Sequence, residues 1–131
     1  MTTTGPVTVP TAFGDGRLTV HRARKRVATL LLSHGAAIQA MRAETGTRLG
    51  IVLNHTPPFP AEPIEADRRA ARLADGTSVR WYMDPIFLGG YPADVIEHLG
   101  ADAPTVQTGD LGAIRQPLDF LGINYYTRSV T

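Results

Sequence analysis

Two asparagines close two apolar runs: Asn54 follows Gly-Ile-Val-Leu, and Asn124 follows Phe-Leu-Gly-Ile and is itself followed by Tyr125 and Tyr126. An amide and a phenol each donate and accept hydrogen bonds. Side chains alternate along a strand, so Asn124 and Tyr126 share a face while Tyr125 points the other way. An amide and a phenol at one pocket mouth suit a polyhydroxylated ligand. On the residues alone a second account stands equally: a satisfied strand-end network with the tyrosine packed in the core. Charge-bearing chemistry has less to work with. The four glutamates, Glu44, Glu62, Glu65 and Glu97, fall in expected helices or loops, and Asp84, Asp110 and Asp119 fall in turns or at a strand start. His34 lies on an apolar helix face without ligand partners nearby and reads as a core histidine. With no cysteine in the chain, a disulfide framework and a zinc–thiolate site are excluded.

The elements that must carry these groups are legible in outline. Residues 1–20, rich in Thr, Gly and Pro, read as irregular, and a boundary at residue 24 separates this segment from 25–131. Val27, Leu30, Leu31, His34, Ile38 and Met41 recur at helical spacing, which predicts a helix from about 23 to 45 stopped by Gly46. "RLGIVLN" is an apolar run without clean alternation, as expected of a parallel strand covered on both faces. A second helix is expected from about Glu65 to Met83, with Gly76 as a weak point and Asp84-Pro85 ending or kinking it. Pro92 suits the first turn of a short helix. "TGDLGAIRQP" reads as one more helical turn, with Thr108 or Asp110 as cap and Pro117 closing it. "LDFLGINYY" is the final strand. Two parallel strands joined by a long helical crossover make an α/β unit, and in such folds functional groups gather beyond the carboxyl ends of the strands.

The 131 residues, 43% hydrophobic and 19% charged, fit one globular domain. Net charge is +1 but uneven, with the basic excess concentrated in "HRARKR" at 21–26. Without stacking aromatics or a glycine-rich loop, that run reads as a solvated lead-in to the helix rather than a nucleic-acid patch. The start has no basic region leading into an apolar core, and no apolar run approaches a membrane span. Neither nucleic acid nor membrane is expected as a partner, and the cytoplasm is the default location.

Three ordered stretches, "LLLSHGAAIQAMRAETGTRLGIVLNHTPPFPA", "AARLADGTSVRWYMDPIFLGGYPADV" and "GDLGAIRQPLDFLGINYYTRSV", resemble consecutive segments of the β-glucosidases of glycoside hydrolase family 1. The likeness covers about residues 25 to 131. It implies an α/β fold, an incomplete (β/α)8 TIM-barrel segment in which "RLGIVLN" and "PLDFLGINYY" look like the fifth and sixth strands. It also implies that Tyr126 orients the nucleophilic carboxylate, that Asn124 shares its pocket, and that Asn54 lies near the sugar cleft. Trp81, Asp84, Pro85, Tyr91 and Pro92 match positions that pack a helix and its turn. Leu88 replaces the family's usual basic residue.

The graver departure concerns the reaction itself. Retaining glycosidases use two carboxylates about 5–5.5 Å apart, which in this family come from Asn-Glu-Pro and Glu-Asn-Gly motifs. The chain contains no Asn-Glu and no Glu-Asn dipeptide, so it offers no catalytic residue of either kind. The resemblance therefore implies a piece of a retaining β-glucosidase, inactive alone, whose partner in the complete enzyme is a β-glucoside or oligosaccharide. The alternative is a non-catalytic remnant that binds sugar or a protein. No metal or organic cofactor is expected. Phe120, Leu121 and the strand edges are expected to lack cover, which favours self-association.

Overall fold

The computed structural model describes residues 20–131, with side chains from Val27 onward; of the irregular segment expected through residue 24, residues 1–19 lie outside the described residues and 20–24 are helical instead. Val20–Glu44 forms the first helix, α1, so the basic run at 21–26 belongs to its opening turns. The buried stripe is narrower than the spacing suggests. Leu31 and Ile38 are buried, whereas Leu30 and Met41, expected on the same face, are exposed. Gly35 is the reason the stripe runs where it does. A Cβ there would overlap the Ala113 carbonyl, so a residue without a side chain lets α1 close directly onto the helical turn Asp110–Ile114 (α5 in chain order).

Gly50–His55 forms β1, Pro58–Phe59 forms β2, Phe120–Tyr125 forms β3 and Ser129–Val130 forms β4. β1 and β3 pair in parallel from Gly50↔Phe120 to His55↔Tyr125. Their entry is fixed by Asp119. Its Oδ2 accepts from the Leu49 N–H at 2.7 Å and from Arg42 at 2.8 Å, and its own N–H donates to the Leu49 carbonyl at 2.7 Å. Parallel pairing was expected; cover on both faces was not found. Ile51 and Leu53 pack toward Leu31, Ile86 and Ile114, while Val52 is 58% and Phe120 45% exposed on the opposite face. Leu121, placed with Phe120 in expectation, is a half-buried residue on the helix-covered face, because register sets it beside Ile51.

The crossover helix outlasts its proline. Glu65–Asp75 (α2) runs through a π-turn at Gly76–Arg80, the short helix Trp81–Met83 (α3) and a second π-turn at Asp84–Leu88 before Gly89 stops it at φ 76. Asp84-Pro85 therefore neither ends nor breaks the path. The wider i→i+5 turn gives the ring room, and Pro85 sits in the first residues of that turn, where its missing donor is least costly. Gly76 is no mere weak point, since a Cβ would press on Val95 and on Arg80. Ala93–Leu99 (α4) follows Pro92. At α5 the capping position is Gly109, at φ 97, with no side-chain cap. Its left-handed turn leaves Thr108 outside the helix, and the Asp110 carboxylate accepts instead from the Gln107 N–H.

Trp81, Ile86, Ile114 and Val95 are fully buried, each contributing about 1.5–3 kcal/mol of apolar burial. The Trp81 and Tyr91 rings pack at a tilt, centroids 4.8 Å apart, and Pro85 and Pro92 are buried. Among the described residues no helix is long and apolar enough to cross a membrane.

Candidate functional site

The carboxyl ends of β1 and β3 bring two of the three anticipated residues together. Asn54 and Asn124 are register partners, and the Asn124 Nδ2 donates to the Asn54 Oδ1 at 2.8 Å. Both are exposed, on the same face as Val52 and Phe120, so the bond stands at an open rim rather than in the core. One oxygen of Asn124 and one amide of Asn54 stay available to a ligand. Tyr126, one residue beyond β3, is 86% exposed. A tyrosine packed in the core is thereby ruled out, while the strand-end network is present in the asparagine pair.

An open groove of ≈ 730 Å³ runs beside this pair, lined by Val52, Leu53, Asn54, Thr77, Ser78, Tyr82 and Asn124. Thr77, Ser78 and Tyr82 were not anticipated. Their signal in the sequence was the Gly-Thr-Ser step inside a helical stretch, where a glycine and two hydroxyls mark a register change. Both hydroxyls donate to the Ala74 carbonyl, at 3.0 and 2.7 Å. No lining residue of this groove is acidic.

Among the described residues the acids lie outside this groove. Asp119 is at the opposite, entry end of β3. A second groove, of ≈ 520 Å³, is lined in part by Arg72, Arg80, Asp84, Asp94 and Glu97, but its charges largely satisfy each other. Arg80 donates to Asp75 at 2.7 Å and to both oxygens of Asp94 at 2.9 and 2.7 Å. The hydrogen bonds from Arg80 hold the Asp94 carboxyl down at about 2, and those same bonds hold the Arg80 guanidinium in its charged form. Burial pushes Asp84 up. This cluster joins α2 to α4 and reads as a structural brace. Glu62 and Glu65 lie past β2 on the rim side, both exposed and outside the asparagine groove. Among the described residues no group of three or more His, Cys, Asp or Glu side chains could hold a metal ion.

Beyond the rim a second parallel ladder joins the two strand-end loops. Pro58 pairs with Ser129 and Phe59 with Val130, and the Arg128 guanidinium lies 5.5 Å over the Phe59 ring.

Comparison with known proteins gives this geometry a setting. The sequence pattern of glycosyl hydrolase family 1 matches residues 11–131. A β-glucosidase from Agrobacterium is 42% identical over 97 residues, covering 73% of this chain and 21% of its own. β-Glucosidase 47 of Arabidopsis thaliana is 37% identical over 102 residues, covering 75% and 19%. Among solved structures, a psychrophilic β-glucosidase from Micrococcus antarcticus superposes with a TM-score of 0.82 at 36% identity, over 88% of this chain and 25% of that one. The family 1 β-glucosidase of Thermotoga maritima gives a TM-score of 0.79 at 30% identity, over 89% and 27%. The chain spans about a fifth of the curated relatives and about a quarter of the solved structures.

Proposed function

The chain belongs to glycosyl hydrolase family 1 and forms part of that family's (β/α)8 barrel, and from this we propose that it is a segment of a retaining β-glucosidase. In this reading residues 25–131 supply the fifth and sixth βα units, and the substrate of the complete enzyme is a β-glucoside or oligosaccharide. Asn54 and Asn124 form a hydrogen-bonding shelf for sugar hydroxyls. Tyr126 reaches past them to orient the nucleophilic carboxylate. Proton donor and nucleophile are glutamates outside these 131 residues, so the chain alone does not turn over substrate. The cytoplasm is the location that goes with this reading.

The observation that carries the proposal is the Asn124–Asn54 bond, 2.8 Å long, at the carboxyl rim of two adjacent parallel strands. Ligand-facing groups of (β/α)8 enzymes gather at that rim. A neutral amide pair can bind and orient a sugar but cannot perform the double displacement, which needs one carboxylate to attack the anomeric carbon and a second to protonate the leaving oxygen.

The test is Tyr126→Phe in an enzyme that carries this segment together with both glutamates. Losing a hydrogen bond to the nucleophile lowers kcat more than it raises KM. An unchanged kcat removes Tyr126 from the site.

A further inference from the structure

The loop that carries Tyr126 is held at both ends. Before it stands the Asn124–Asn54 bond. After it, the Ser129 N–H donates to the Pro57 carbonyl at 3.1 Å, the Thr131 N–H to the Phe59 carbonyl at 2.8 Å, and the Ala61 N–H to the Thr131 carbonyl at 2.8 Å. Only Tyr126–Arg128 lies between the end of the β1–β3 pairing at Tyr125 and this second attachment. Tyr126 itself, 86% exposed, has almost no side-chain packing of its own, so its position is set by the backbone on either side.

A ladder of two-residue strands is weak in isolation. The side chain that adds to it is Arg128, whose guanidinium covers the Phe59 ring at 5.5 Å. This contact crosses from the loop after β3 to the loop after β1, parallel to the backbone bonds. A planar cation suits an aromatic face better than a compact ammonium does, though both are attracted to it.

We propose that the β2–β4 ladder is a brace for Tyr126, and that Arg128, stacked on Phe59, is its positioning residue. The brace acts beyond the strand ends and separately from the Asp119 clamp, which fixes the entry ends of the same two strands. One sheet is thus pinned at both extremities, and the rim loop can be loosened without loosening the strands. The purpose of the brace rests on the glycosidase reading above, whereas the brace itself is measurable without substrate.

The experiment is residue-resolved amide hydrogen exchange on the 131-residue chain, with backbone order parameters. Arg128→Ala raises exchange about twofold to fivefold at Ala61, Ser129 and Thr131, the range expected for an exposed cation–π contact, and lowers the order parameter of Tyr126. The amides of Leu49 and Asp119 stay unchanged. Arg128→Lys recovers most of the protection, and Phe59→Leu reproduces the loss by removing the other partner. Unchanged exchange at the three ladder amides in both Arg128→Ala and Phe59→Leu overturns the proposal. So does equal acceleration at Leu49 and Asp119, which would make Arg128 a general stabiliser. If Tyr126→Phe leaves kcat untouched while the exchange pattern holds, the glycosidase role fails and the brace stands.

Discussion

Asn124 donates its side-chain amide to Asn54 at 2.8 Å, joining register partners seventy residues apart in the chain. The two amides orient each other at the place where the strands open to solvent. Net hydrogen-bond contributions run about 0.5–1.5 kcal/mol, and this exposed pair belongs at the lower end. A double-mutant cycle of Asn54→Ala and Asn124→Ala, read by urea unfolding, should give a coupling of about 0.5 kcal/mol. Strictly additive effects would mean that the bond does not form in solution.

Gly35 and Gly112 should respond oppositely to alanine. A Cβ at Gly35 collides with the Ala113 backbone, whereas one at Gly112 meets nothing within 4 Å. Overpacking costs about 1–3 kcal/mol, and a helical glycine replaced without strain gains up to about 1 kcal/mol. The melting temperature should fall for Gly35→Ala and hold or rise for Gly112→Ala. Equal responses would remove the close approach of α1 to α5.

Acid should weaken the fold through two aspartates. Arg80 holds Asp94 at about 2, and the Leu49 N–H, followed by Arg42, draws Asp119 below its ordinary value. Both lie below the unfolded aspartate value of about 3.9, so their stabilisation is complete above about pH 5 and is lost as pH falls through the folded values. Asp84 works in the opposite sense, because burial raises it. Burial lowers His34, so the unfolded state takes up that proton first. The urea midpoint should begin to fall below about pH 6.5, then drop further between about pH 4 and 2 as the aspartates protonate. Asp94→Asn should lower it at pH 7 and flatten the acid limb. A midpoint insensitive to acid would contradict both ion pairs.

How much of this was readable beforehand depended on whether the signal was local. The strands, their parallel pairing and the rim asparagines followed from apolar runs ending in the same residue type. The helix at Trp81 was legible as periodicity, but its passage through Pro85 was not, because a π-turn is a register shift that periodicity does not encode. Leu30 and Met41 were placed on the buried face because nothing in α1 alone reveals that Gly35 sets the contact with α5. Thr77, Ser78 and Tyr82 join the groove through a crossover helix folding back over β1. Phe59 and Arg128 meet across 69 residues of chain, a pairing that neither loop announces.

The proposed glycosidase segment is best tested by turnover. The purified 131-residue chain, incubated with p-nitrophenyl β-glucoside beside an unfolding scan that verifies its folded state, should release p-nitrophenol no faster than buffer, since among the described residues none lining the groove beside Asn54 and Asn124 is acidic. Saturable release by the folded chain, abolished by substituting one of its own acids, would contradict the account and place the reacting carboxylates within this sequence.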